Sequence, residues 1–172
     1  MGEGDQVRED QAGVRRVAHM AVTAIAPKDP AFQARVQASF AKQGLMRTLG
    51  AHILRISPGA VDIALPASPS ISQQHGFVHA GAVAAIADTA AGYAALSLMP
   101  ARVGVLTTEF KINLVAPAIG ERILARGRVI KIGRTLTVTQ TEVVAETAGE
   151  EKLVALLTAT MMAIEDRDGI SD

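Results

Sequence analysis

Apolar residues recur along this chain with two different periods, and the places where the period changes divide it into elements. Phe32, Val36 and Phe40 fall every four residues, the spacing of one helix face. Asp29-Pro30 ahead of them reads as an N-cap followed by the first helical residue, and Gly44 as a left-handed stop. Two strand-like runs follow, 51–57 and 60–66; in the second, Val61, Ile63 and Leu65 alternate with smaller or polar residues. Pro58-Gly59 between them is a turn signal. A polar loop over 68–77 leads into 80–99, an Ala-rich stretch that favours helix and has too few polar residues for a solvated face. Four long β-type runs complete the chain at 103–115, 122–132, 136–146 and 153–164. Turn signals separate them at Pro117-Ala118-Ile119-Gly120, Gly133 and Ala148-Gly149.

The predicted order is helix, two strands, apolar helix, four strands. Four consecutive strands joined by short turns are expected to be antiparallel neighbours, and a helix that is apolar all round is expected to be wrapped by other structure. One antiparallel sheet curled around one buried helix is the hot-dog architecture, of the α+β class; the pattern alone also admits a different α+β sandwich. No internal repeat or low-complexity linker interrupts it. The expectation is one domain over residues 29–165, a polar N-terminal extension over 1–28 and a short tail over 166–172.

Composition narrows the function. Lys plus Arg and Asp plus Glu are 17 each, so no global field draws the chain to nucleic acid or to an anionic membrane. Four Phe, one Tyr and no Trp leave few platforms for stacking bases. With no cysteine, disulfides, thiolate metal sites and a Cys nucleophile are excluded, and a reducing, cytoplasmic location is expected. Arg15-Arg16 ahead of a short apolar run is a poor secretory signal, because the run is mild and broken by His19 and Thr23. The 80–99 stretch has the length of a membrane span, but it is mostly Ala and Gly and carries Asp88 near its middle. A mid-bilayer Asp is costly, so a buried helix is the better reading. Half the residues are apolar, enough for one core; balanced charge and a positive mean hydropathy in a chain this small point to buried subunit interfaces, with a homodimer or homotetramer expected.

The candidate chemistry lies at Gln73-Gln74-His75-Gly76-Phe77-Val78-His79-Ala80-Gly81, leading through Ile86-Ala87 to Asp88. An ionised Asp in a buried Ala-rich helix costs several kcal/mol unless paired or hydrated. A buried hydrogen bond is the plain alternative to function, and the preceding loop with two His and two Gln tips the balance toward function. Gly81 and Asp88 are seven residues apart, near two full turns, so they share one helix face with Ala84, Ala85 and Ala91. They are also about 10 Å apart along the axis. A group bound at the helix start is therefore out of reach of Asp88 in the same helix, but not of Asp88 in an antiparallel second copy. Taken alone, His79 reads as a helix cap. No metal is expected: Gly76 disfavours a helical pairing of His75 with His79, and no metalloprotease spacing is present. Neither a nucleophile elbow nor a P-loop occurs, and Lys131-Ile132-Gly133-Arg134-Thr135 reads by itself as a solvated hairpin tip.

At these residues the chain resembles the phenylacetate-degradation (PaaI-like) branch of hot-dog thioesterases, which place His-Gly-Gly at a helix start and a catalytic Asp nine positions after the His. His79, Gly81 and Asp88 match that spacing. The resemblance runs over roughly 45–164 and includes Phe110-Lys111-Ile112-Asn113 and the Gly-Arg-Thr turn at 133–135. The chain departs from the branch in three places: Ala80 replaces the first Gly, Gln73 stands where many relatives have Asn, and Thr107 where some have Ser. The resemblance implies hydrolysis of acyl-CoA thioesters with no cofactor. The Gly81 N–H would polarise the carbonyl, Asp88 of a second subunit would act as general base or nucleophile, and Gln73 and Thr107 would hold the water. His79 would orient the loop and the carbonyl, and Gly133, Arg134 and Thr135 would lie near the CoA phosphates. A hot-dog enoyl-CoA hydratase and a non-catalytic acyl-CoA-binding module are the competing expectations.

Overall fold

The computed structural model describes residues 26–165, so most of the expected N-terminal extension and all of the C-terminal tail lie outside the described residues. The elements in chain order are α1 (Phe32–Lys42), α2 (Gly44–Leu49), β1 (His52–Ser57), β2 (Ala60–Pro66), a short 3-10 turn (Pro69–Ile71), α3 (Ala80–Leu96), β3 (Gly104–Leu114), β4 (Arg122–Ile132), β5 (Leu136–Thr147) and β6 (Glu150–Ile164). The six strands form one antiparallel sheet in the order β1-β2-β4-β5-β6-β3, with α3 packed across it: an antiparallel sheet around a central helix, as expected.

Two features of the N-terminal segment differ from the sequence reading. Helix α1 starts at Phe32 rather than Pro30: the Asp29 carboxylate accepts the Ala31 N–H (2.8 Å) ahead of the helix and caps none of the helical N–H groups. Gly44 does not stop the helix. Extended Gln43 makes the break, Gly44 opens α2, and the left-handed stop is Gly50 at φ 73°. These helices hold the far end of α3. Arg35 pairs with Asp29 and donates to the carbonyls of Leu96, Met99 and Pro100, which satisfies the orphan acceptors of a helix C-terminus. The Tyr93 hydroxyl lies 3.1 Å from both Ser39 Oγ and Gln43 Nε2.

The strand order is the larger correction. β4, β5 and β6 are sequential neighbours, but β3 pairs with β6 at the far edge and β4 pairs with β2. Helix α3 carries the chain from β2 across the sheet face, so β3 enters at the opposite edge. Val83, Ile86, Ala87 and Ala90 face the strands and are buried. The approach is closest at Gly127 of β4, where a Cβ would stand 2.3 Å from the Ala90 carbonyl oxygen. The Thr141 hydroxyl of β5 donates to the Ala87 carbonyl at 3.0 Å. The helix is not wrapped on all sides, however. Gly81 is exposed, and Ala84, Ala85, Asp88, Thr89 and Gly92 are half-buried along one open stripe. Of the small residues expected on that face, Ala91 is buried.

Candidate active site

Asp88 sits half-buried on the open stripe of α3, and its Oδ1 accepts the Thr107 hydroxyl at 2.8 Å. Strand β3 brings Thr107 there through a bulge: the register with β6 shifts between Thr107 and Glu109. Because side chains alternate faces along a strand, the extra residue, Thr108, lets Val105 and Thr107 share the helix side with Phe110, Ile112 and Leu114. Bulges re-aim side chains in this way. The Asp88 carboxyl is raised above the ordinary aspartate range. Burial away from water dominates, and the Thr107 hydrogen bond opposes it by favouring the ionised form. The result is a carboxylate more basic than a solvated one, held in one orientation.

His79 is the N-cap of α3, and its Nδ1 accepts the Gly81 N–H at 2.8 Å. To accept, Nδ1 must be unprotonated, which places the ring proton of a neutral imidazole on Nε2. The N–H expected to meet a substrate carbonyl is thus already engaged. The neighbouring Ala80 N–H, at the first position of the helix, has no acceptor among the described residues.

Gln73 belongs to a tight turn. Its N–H donates to the Phe77 carbonyl, Gly76 at φ 83° turns the chain, and its Oε1 accepts the His75 N–H at 2.6 Å. Gln73 and Ala80 line one cavity of about 410 Å³ with Phe77, Val83, Leu114 and Val115. His79 and Gly81 line another, of about 280 Å³, on the other flank of the helix start, with Leu45, Leu49 and Ala85. Within one chain the predicted residues therefore fall into separate groups. Asp88 joins Thr107, His79 joins Gly81, and Gln73 faces a different cavity from these two. Gly133, Arg134 and Thr135 form the exposed β4–β5 tip, where the Gly133 N–H donates to the Leu136 carbonyl and the Thr135 carbonyl accepts the Ala163 N–H, both at 2.8 Å. Two features escaped the sequence reading, the unengaged Ala80 N–H and the bulge. The bulge leaves a signal in the alternation, which shifts phase between Thr107 and Phe110.

An antiparallel sheet packed on a central apolar helix is the hot-dog architecture, and the hydroxyl-bonded carboxylate on that helix is its candidate site. The comparisons with known proteins agree. The thioesterase superfamily profile matches residues 75–152. A Halobacterium salinarum protein named as an esterase is 30% identical over 125 residues, covering 69% of this chain and 82% of that one. A solved thioesterase family protein from Silicibacter pomeroyi is 48% identical at a TM-score of 0.77, covering 78% of this chain and 98% of that one. The E. coli PaaI protein of the phenylacetic acid degradation operon shares the fold, with a TM-score of 0.71 at 20% identity, covering 84% of this chain and 98% of that one. The chain belongs to the thioesterase superfamily and is a thioester hydrolase of the hot-dog fold.

Proposed function

We propose that this enzyme hydrolyses acyl-CoA thioesters in the cytoplasm, at sites shared between two copies of the chain. The observation that carries this reading is the Asp88–Thr107 pair, set at the open edge of the molecule two helical turns from the cavity at the α3 start. Strand β3 is an edge strand of 11 residues, and Phe110, Leu114 and Val115 on or beside it are exposed. A long apolar edge is a template for pairing. Full overlap of β3 with a two-fold copy pairs Gly104 with Leu114, so Thr107 falls opposite Lys111. That is three residues, about 10 Å, from Leu114 on the cavity wall. Pairing of this kind carries the partner's Asp88 toward the Gln73–Ala80 cavity, while the small-residue stripes of the two α3 helices meet.

In such a site the thioester carbonyl accepts from the Ala80 N–H, the free donor, aided by the positive end of the helix. The Gly81 N–H stays with His79, whose part is to hold the helix start in shape. Asp88 of the partner takes a proton from a water held by Gln73 and Thr107, or attacks the carbonyl itself. In the first route water oxygen bonds to the carbonyl carbon, the tetrahedral oxyanion collapses, and the C–S bond breaks. The proton on Asp88 then passes to the departing CoA sulfur. The phosphates of CoA lie near Gly133, Arg134 and Thr135.

Asp88→Asn keeps the shape and loses the base, and a drop on the order of 10²-fold or more in kcat is expected. Mixed dimers test the sharing. Asp88→Asn in one chain and Gln73→Ala with His79→Ala in the other leave one intact site per dimer, so about half the wild-type rate should return if the sites act independently. Mixed dimers as inactive as either parent, with both chains folded, place Asp88 and the loop in one subunit's site and defeat the proposal.

A further inference from the structure

Two cavities flank the start of α3, and their linings differ in kind. The larger holds Gln73 and the free Ala80 N–H, which the proposed reaction uses. The smaller, of about 280 Å³, lies toward α2 and is walled by Leu45, Leu49, Ile71, Ala82 and Ala85. The polar side chains in its lining are already engaged. The Ser70 and Ser68 hydroxyls share a hydrogen bond at 2.9 Å, the Ser72 hydroxyl donates to the Pro69 carbonyl at 2.8 Å, and His79 Nδ1 holds the Gly81 N–H. What this cavity offers a ligand is hydrocarbon. Its outer wall is fixed: the Gln43 amide at the head of α2 donates to the Tyr93 hydroxyl, and Met46 is buried.

The two glycines of α3 bear on how a ligand enters. Glycine inside a helix is destabilising relative to alanine. At Gly81 the chain itself gives a reason for it, because a Cβ would stand 3.1 Å from His79 Nδ1. At Gly92 it gives none: a Cβ there would have nothing within 4 Å among the described residues. The open stripe reads alike in both directions. With Asp88 set against Ala85 of an antiparallel copy, Thr89 meets Ala84 and Gly92 meets Gly81. Packed helices touch where they cross and diverge toward their ends, and Gly81 lies about 8 Å along the axis from the middle of the stripe. In such a dimer the two glycines face each other across a slot at the mouth of the smaller cavity, which Gly81 lines.

We propose that the acyl group runs from the carbonyl held at Ala80 through the slot between Gly81 and the partner's Gly92 into this cavity, where Leu45 and Leu49 end it. Gly92 and Leu45 are then the residues that set specificity, and the substrate is a straight, unsubstituted acyl chain of medium length. This rests on the acyl-CoA reading at shared sites above. The slot has two bare backbones for walls, which suits a narrow polymethylene chain. A cavity of about 150 Å³ holds the six carbons of benzene, so about 280 Å³ accommodates about eleven carbons at the same packing. With its hydroxyls engaged, the lining has no partner for a carboxyl, hydroxyl or amino group on the chain, and burying one there unpaired is costly.

Straight-chain acyl-CoA substrates from acetyl to palmitoyl test the placement. For the wild type, kcat/KM should climb by up to about fourfold per added methylene, peak at about eight to ten carbons and then fall. Leu45 is 57% exposed, so Leu45→Ala keeps the fold; it opens the far wall and should move the peak at least about two carbons longer. Gly92→Leu blocks the slot and should cut the preference for octanoyl-CoA over acetyl-CoA by about tenfold or more. A peak that stays in place in Leu45→Ala overturns the proposal, even where Gly92→Leu fails to fold or to dimerise. A wild type inactive on every acyl-CoA refutes the acyl-CoA reading and the placement with it; an active wild type whose peak ignores both residues refutes the placement alone. Mixed dimers locate the walls. Leu45→Ala should act only on the Asp88→Asn chain, and Gly92→Leu only on the loop-disabled chain that supplies Asp88 to the intact site; the reverse pattern overturns it.

Discussion

Helix α3 presents two flanks built from much the same residues and used in opposite ways. The flank facing the sheet, with Ala87, Ala90 and Ile86, is fully buried, and β4 comes so close that Gly127 leaves no room for a methyl group. The open flank, with Gly81, Ala84, Ala85 and Gly92, meets little of its own chain; a Cβ at Gly92 would have nothing within 4 Å. Small residues on the first flank let strand and helix backbones approach. Those on the second leave space for something from outside the chain, and only there does a carboxylate sit. Asp88 could not be placed among Ala87 and Ala90 without desolvation and steric costs of several kcal/mol. The same composition therefore packs the fold on one side and leaves room for the proposed chemistry on the other.

Breaking the buried flank should have the largest effect on stability. In Gly127→Ala the new Cβ meets backbone, which cannot yield as a side-chain tip can, so helix and sheet must separate. A loss of about 3 kcal/mol, roughly 10 °C in Tm for a domain of this size, is expected in thermal melts. A variant as stable as wild type would mean that the helix can shift along the sheet at little cost. The open side should respond differently. Phe110→Glu changes a side chain already 47% exposed, so the fold should survive while the dimer weakens by at least about thirtyfold, as for a central interface residue. Sedimentation velocity reads this directly, and activity should fall in step with the monomer fraction. A full-strength dimer would locate the interface away from the β3 edge.

The two flanks also differed in how far the sequence disclosed them. Element order and the apolar helix were legible because they rest on period and composition, which local physics fixes. The pairing of β3 with β6 was not, since nothing in a strand's own residues says which edge it joins. Face assignment on β5 is a harder case. Thr137, Thr139 and Thr141 point at α3 and are buried, while Leu136 and Val138 are exposed, the inverse of the usual pattern. The hydroxyls are tolerated inside because backbone carbonyls take them up: Thr139 donates to Ala159 at 3.2 Å and Thr141 to Ala87. At the site, Asp88 and Thr107 were legible as residues, but their direct contact depends on the bulge at Thr108. The capture of the Gly81 N–H by His79 depends on a rotamer that no sequence pattern encodes.

The smallest expected effect is also the one most specific to the open flank. Burial raises the Asp88 carboxyl above the usual aspartate range, and the Thr107 hydroxyl pulls it part of the way back. Thr107→Val keeps the branched shape but removes the donor, so the opposing influence vanishes and the carboxyl rises further. Because the ionised form is the base, the acid limb of kcat/KM should move to higher pH, while the plateau rate stays within about tenfold of wild type. Thr107→Ser, which retains the donor, should leave the limb in place. Stability carries the same sign. A carboxyl raised in the folded state contributes stability below its unfolded pKa and loses it as pH rises through the folded value. The upper end of that window should therefore shift upward in Thr107→Val, seen as a change in the pH dependence of Tm. A pH profile for Thr107→Val that superimposes on wild type, with the serine variant behaving alike, would mean that the hydroxyl does not touch the group that ionises in turnover. Asp88 would then hold Thr107 in place, not the reverse.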